Sequence, residues 1–375
     1  MTRLKHPTRA SRRAILRGAG ALGLAAALAP RRLAAQAPAA PAVGRDVTLV
    51  VSTWGGAIQD VIKAHVLPEF QKRTGANLTY DIGGQGARYN KLLAQRANPS
   101  PPADVFLSTD EAVIAGHRAG VLQPAARKSL PSLPDVYDWA LSVKEANPDG
   151  MIAGVPFTLI TYLLAFNPEL VKPAPTSWAD LWRPEFRDKM SFASPVHSQM
   201  PALVIIAAEL AGGSAADVEP GFKKLAELRP AKLSVAYTDW LALNKTGEVV
   251  LSTEFDYYID GMKDQKYAID YVMPKEGGIG SLDCVSVVKG TRYPELAELF
   301  LELMISTPVQ EAFAVETYQG PINRAVRLTP AAQARCSCGP RVERVRFFDP
   351  ALFVDQRPAW TERLNTDVVP HWRAR

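Results

Sequence analysis

Three successive strand, turn and helix units open the folded part of this chain and limit the folds open to it. The β-branched run Val47-Thr48-Leu49-Val50-Val51 ends at Trp54-Gly55-Gly56, and Ile58, Val61, Ile62, His65, Val66 and Phe70 follow at helical spacings of three and four. A second strand, 76–82, ends in Gly83-Gly84-Gln85-Gly86 and precedes a helix over 87–97. A third, Asp104-Val105-Phe106-Leu107, ends in Ser108-Thr109-Asp110. Repeated units of this kind predict an α/β fold whose parallel sheet carries helices on its faces. Ligands of such sheets sit outside the carboxyl ends of the strands.

Each of the three turns opens a helix, so free backbone N–H groups and positive dipole ends converge on one cleft. Glycines there either let a ligand approach the backbone or simply make tight turns. Thr53, Trp54, Gly84, Gln85, Ser108, Thr109 and Asp110 are the candidate ligand contacts on this side.

The pattern changes after Gly150. The run 154–167 is too long for an ordinary strand and reads as a crossing out of one lobe into another, with Thr161 and Tyr162 within it. Helices over 178–182, 202–211 and 222–228 follow, and His197-Ser198-Gln199 forms a turn. A buried strand over 247–255 reaches a loop, and 283–288 reads as the return crossing, followed by a helix over 294–305. Two crossings make a two-segment hinge. The expected division is 44–157 with 280–325 in one lobe and 158–279 with 326–375 in the other, a layout that a chain of this length favours.

Residues 1–37 carry the address. A basic start leads through Ser11-Arg12-Arg13 to the Gly/Ala/Leu run ending at Ala29 and then to Ala35-Gln36-Ala37, the pattern of a cleaved twin-arginine export signal. The apolar run is shorter than the roughly 20 residues that span a bilayer. These 37 residues hold eight Lys/Arg and no acid, so removing those eight charges from the formal +5 leaves −3. A mildly acidic mature chain gives no electrostatic reason to expect nucleic acid as a partner. The motif Gly18-Ala19-Gly20-Ala21-Leu22-Gly23 matches a dinucleotide fingerprint by chance, since no strand precedes it.

No cofactor motif and no phosphate loop, HExxH or nucleophile elbow occurs, and His197 beside Ser198 is the one histidine placed to face a cleft. A periplasmic enzyme remains a remote alternative. Three cysteines in an oxidising compartment allow one bridge among Cys284, Cys336 and Cys338.

Ser52-Thr53-Trp54-Gly55-Gly56, Pro102-Ala103-Asp104-Val105-Phe106, Ala119-Gly120-Val121-Leu122-Gln123-Pro124, Ser177-Trp178-Ala179-Asp180-Leu181-Trp182, Gly247-Glu248-Val249-Val250, Pro274-Lys275-Glu276-Gly277-Gly278 and Gly320-Pro321-Ile322-Asn323 together resemble the periplasmic solute-binding proteins of ABC importers, in the branch with polyamine and ferric-ion receptors. The resemblance implies a two-lobed type II periplasmic-binding-protein fold, monomeric and without a cofactor. It also implies a small-molecule solute handed to an inner-membrane ABC permease.

By that resemblance Asp283 matches the amine-binding aspartate of the polyamine receptors, Ser281 stands where they carry an aromatic residue, and Phe255 stands where they carry Trp, with Asp256 beside it and Glu254 adding charge. Acids hold ammonium groups while rings pack the methylenes between them. Tyr257-Tyr258 falls near the adjacent tyrosines of ferric receptors, whose phenolates suit a trivalent ion. An anionic solute would instead use the N–H groups of 83–87 with Ser108, Thr109 and Arg88. The amine reading ranks first.

The leader is testable directly. Replacing Arg12 and Arg13 together by Lys should block export and processing, followed by fractionation of periplasm. Wild-type processing of the double variant would instead indicate a general secretory signal.

Overall fold

The computed structural model describes residue 44 and residues 46–141, 147–235 and 237–373. The twin-arginine leader, its cleavage site and the Ala/Pro linker after it lie outside the described residues.

The first three strands form as their sequences predict: Thr48–Thr53 pairs in parallel with Asn77–Ile82 on one side and Val105–Thr109 on the other. The helix after the first strand runs from Gly56 to Thr74 with one π turn at Ile62–Val66, and it buries Ile58, Val61, Ile62, Val66 and Phe70 on one face. Its entry requires Gly55, which has φ 83°; a Cβ there would stand 2.8 Å from Cγ2 of Ile82.

The long apolar run is one strand of 12 residues, Val155–Phe166, buried throughout. It lies antiparallel to the returning strand Gly278–Val288, which in turn pairs antiparallel with Val105–Thr109. A single mixed sheet therefore runs in the order Leu251–Phe255, Val155–Phe166, Gly278–Val288, Val105–Thr109, Thr48–Thr53, Asn77–Ile82. Burial on both faces explains why the two central strands carry almost continuous apolar sequence.

Two large apolar cores form on this sheet among the described residues, with two smaller clusters beside them. On the first crossing strand Leu159 belongs to one core and Ile160 to the other; on the second, the change falls between Leu282 and Ile279. The larger core takes the helices 56–74 and Pro294–Ile305, and the other packs Trp178, Phe192, the helix Met200–Leu210 and Phe222. Residues 326–373 serve both, with Val345 in the first core and Phe353, Trp360, Leu364 and Trp372 in the second.

Three elements differ from the sequence reading. The strand 247–255 starts only at Leu251, and it enters the helix Asp256–Asp264 directly instead of reaching a loop. Asp256 opens that helix, where an acid suits the positive dipole end. The segment 178–182 is a single 3₁₀ turn, closed by a capping box between Ser177 and Asp180. The return crossing starts earlier than Asp283, at Gly278.

The two crossing strands change register between Asp283 and Cys284: Asp283 faces Thr158, while Cys284 faces Pro156, leaving Phe157 as the extra residue. Pro156 has no N–H for the ladder, which makes this the natural place for a bulge. The carbonyl of Phe157 is recovered by Gln310, whose Nε2 also donates to the carbonyl of Met304 and whose Oε1 accepts from the N–H of Ile322. Gln310 is fully buried. Gln310→Leu leaves all three backbone groups without partners and should cost about 3 kcal/mol, read as a lower denaturation midpoint with unchanged helical content.

Candidate functional site

Between the two cores lies a cavity of about 610 Å³. Its floor is built from the carboxyl ends of the parallel strands, with Trp54, Gly55 and Gly56 after the first and Thr109 closing the third. Gln85, at the start of its helix, ties two of these turns together: its Oε1 accepts from the N–H of Thr109 at 2.9 Å and its Nε2 donates to the Thr109 hydroxyl at 3.2 Å.

The opposite wall is aromatic. Phe255 ends its strand, Tyr257 and Tyr258 occupy the first turn of the next helix, and Tyr237 stacks on Tyr258 with centroids 3.7 Å apart and planes 15° apart. Tyr257 and Tyr258 have centroids 4.0 Å apart. Burial raises both phenols well above their ordinary pKa, so the neutral form is strongly favoured. His197 lines the cavity beside Phe255, and burial with the nearby Arg357 charge lowers it to about 4, leaving a neutral ring.

Two buried carboxylates face this space. Asp283 sits at the register change, where its Oδ2 accepts from Gln319 Nε2 at 3.1 Å and from the Thr158 hydroxyl at 3.4 Å. Burial pushes it up to about 7; nearby Asp110 adds to the rise, and the two hydrogen bonds and Arg88 oppose it. Glu254 accepts from the N–H of Phe255 at 2.9 Å and is pushed by burial up to about 8. Among the described residues no Lys or Arg lines the cavity.

Of the residues nominated from sequence, Trp54, Gln85, Thr109, His197, Glu254, Phe255, Asp283, Tyr257 and Tyr258 line the cavity. The others do not. Thr53 and Ser108 are fully buried in the strands, and Gly84 is exposed at the start of its helix. Tyr162 lies behind Phe255, with centroids 5.1 Å apart, and its hydroxyl pairs with that of Thr253 at 2.8 Å. Asp110 and Ser281 instead line, with Phe353, an adjoining small crevice that shares Thr109 and Ser198 with the cavity.

Asp256 is turned away from the cavity. It accepts from the Ser337 hydroxyl at 2.5 Å, from the N–H of Thr161 at 3.2 Å and from that of Tyr257 at 3.0 Å. The Thr161 hydroxyl in turn meets that of Ser337 at 2.6 Å. Ser337 is held between Cys336 and Cys338, which form a disulfide, while Cys284 stays free and buried. Arg88 is also outside the lining: its guanidinium lies 5.1 Å from the Trp54 ring and 5.0 Å from that of Phe106, and donates to the carbonyls of Gly83 and Leu107. Among the described residues no group of three His, Cys, Asp or Glu is placed to hold a metal ion.

Sequence reasoning missed the segment 316–319, which completes the wall. It follows the helix Thr307–Glu316, and Tyr318 turns it with φ 62°. Its single signal was adjacency to Gly320-Pro321-Ile322-Asn323. Tyr237 was missed as well, because nothing local relates it to Tyr258, 21 positions on.

The family described as bacterial extracellular solute-binding protein matches residues 66–335. The chain is 26% identical over 268 residues to a spermidine/putrescine-binding periplasmic protein of Haemophilus influenzae, covering 70% of this chain and 72% of that one. It is 27% identical over 185 residues, 49% of each chain, to a 2-aminoethylphosphonate-binding periplasmic protein of Salmonella typhimurium, so named provisionally. A crystal structure of an ABC transporter protein from Clostridium perfringens superposes with a TM-score of 0.73 at 26% identity, covering 85% of this chain and 99% of that one.

The raised carboxyls fix a pH response. Glu254 and Asp283 hold protons in the folded chain that they release when unfolded, so their contribution is complete near pH 4 and is lost as pH rises through about 7 and about 8. His197, lowered to about 4, acts oppositely, but only below about pH 6.5. Stability of the ligand-free protein should therefore fall between about pH 6.5 and 9, by about 2 kcal/mol from Glu254 alone. Glu254→Gln should flatten that slope in urea titrations.

Proposed function

We propose that this chain, which belongs to the bacterial extracellular solute-binding protein family, captures amine-bearing cations and presents them to its permease. It is the substrate-binding component of an ABC import system and not an enzyme. The observation that carries the amine reading is the pair of buried carboxylates, Asp283 and Glu254, in an aromatic-walled cavity that no Lys or Arg lines among the described residues. An isolated buried carboxylate is costly to ionise. An ammonium ion removes that cost by taking the proton's place, and the rings of Phe255, Tyr257, Tyr258 and Trp54 offer π faces and apolar surface to the rest of the solute.

The named solutes of the two relatives, spermidine or putrescine and 2-aminoethylphosphonate, all carry a primary amine. That common group supports the same reading. The ferric alternative would need Tyr257 and Tyr258 as phenolates, a form that burial disfavours in the metal-free chain and that a bound cation would itself have to supply. The anionic alternative loses its cation, since Arg88 is engaged beneath the floor. In this reading the lobes divide between Leu159 and Ile160, two residues beyond the expected 157/158, and between Ile279 and Leu282, with 326–373 packing on both; the site lies between the lobes, and the mature protein works in the periplasm after twin-arginine export.

A thermal-shift panel tests the assignment. A ligand at 100-fold excess over its Kd stabilises the folded state by about 2.7 kcal/mol. At least one primary amine or diamine should do so; Asp283→Asn should abolish the shift, and affinity should rise from about pH 6 to 8 as the solute displaces protons from the carboxyls. A response confined to carboxylates or phosphonates, or an iron-coloured protein that bleaches in Tyr257→Phe, overturns the amine reading.

A further inference from the structure

The cavity has two walls that meet at one guanidinium. Glu111 stands in the first turn of the helix Asp110–Arg118, directly after the lining residue Thr109, and this helix sends Val113 and Ile114 into the first core. On the other side, the loop carrying His197 and Ser198 joins the strand Ser191–Ala193 to the helix Met200–Leu210, both of the second core. In this loop Val196 is 62% exposed, while the His197 ring packs against Tyr162 and Phe255.

Arg357 reaches both. It belongs to the helix Pro350–Arg363, which buries Phe353 and Trp360 in the second core and lays Ala351 and Val354 against the first. Its Nε donates to Glu111 Oε1 at 2.6 Å and its Nη2 to Glu111 Oε2 at 2.5 Å, the two-pronged geometry that guanidinium and carboxylate planes favour. The same Nη2 donates to the carbonyl of Ser198 at 2.9 Å, and Nη1 to that of His197 at 3.3 Å. One turn on, the Thr361 hydroxyl donates to the carbonyl of Pro195 at 3.4 Å. The pair is mostly shielded, with side chains 25% and 19% exposed, so solvent screens it less than a surface pair.

We propose that Arg357 is the positioning residue of this site: it fastens the His197–Ser198 wall to the helix behind Thr109, and so holds the two sides of the cavity in register. Its charge and its fork do different work. The charge secures Glu111, and the fork's remaining N–H groups secure the loop carbonyls. Lys supplies the charge without the fork, and a reversed pair, Glu111→Arg with Arg357→Glu, supplies the cross-link without donors for the carbonyls of His197 and Ser198.

Hydrogen exchange on the full-length mature chain, without ligand and at low and high ionic strength, reads the clamp directly. Arg357→Gln should speed exchange about tenfold over both 110–118 and 194–200 at low salt and remove the salt response. Glu111→Gln should do so chiefly over 110–118, and Arg357→Lys should retain part of that protection. The reversed pair should restore 110–118 but not 194–200. Wild-type exchange in both segments of Arg357→Gln, or full rescue of the loop by the reversed pair, overturns the proposal.

A second arm rests on the amine reading and uses 1,4-diaminobutane as probe. Arg357→Gln should raise its dissociation rate about tenfold and change its association rate little. If the wild-type chain does not bind this diamine, the arm is run with the amine that the thermal-shift panel selects, and if no amine binds, the amine reading falls while the exchange data still decide the clamp; an unchanged dissociation rate in Arg357→Gln counts against the clamp.

Discussion

Everything in this molecule hangs on the antiparallel pairing of two strands, Val155–Phe166 and Gly278–Val288. They are the centre of the sheet, they carry the chain between the two cores, and their side chains change allegiance from one core to the other within a few residues of each other. A ladder made of such buried, apolar strands tolerates few interruptions. The single interruption is the bulge at Pro156-Phe157, opposite Cys284, and Asp283 stands directly beside it, facing Thr158. The carboxylate of the site is thus part of the seam between the cores, and any twist of one core against the other is felt in the backbone that carries it.

The polar groups around the cavity are sorted by what surrounds them. Asp256 has three donors and lies turned from the cavity; Asp283 has two side-chain donors and faces it; Glu254 has one backbone donor and faces it too. Burial raises the pKa to about 6, about 7 and about 8 in that order; donors to the ionised form oppose the rise, Arg341 also holds Asp256 down, and Asp110 lifts Asp283 further. The carboxylates with least internal support are the ones aimed at the cavity, where a cation can complete them.

Local patterning carried the first strands, their helices and the helix Pro294–Ile305, because period and turn residues there agree with the final packing. Asp283 and Phe255 were legible through the resemblance of short segments. Thr161 and Asp256 were nominated from adjacent positions, yet a strand alternates its faces and a helix start rotates them, so neighbours in sequence point to opposite sides. Ser337 closes their network from 81 positions beyond Asp256, a distance at which no local signal operates. The same holds for Arg357 and Glu111, whose pairing exists only after both cores have formed.

The bridge between Cys336 and Cys338 encloses a single residue. A ring so small removes little freedom from an unfolded chain, and its influence on the global folding equilibrium is correspondingly slight. What it restricts is orientation: Ser337 is fixed with its hydroxyl toward Asp256 and Thr161, while its carbonyl comes so near Gly320 that a Cβ there would stand 2.1 Å away. The linkage works as a jig for one hydroxyl, and its oxidation state is written into the hydrogen bonding of the layer directly behind the aromatic wall.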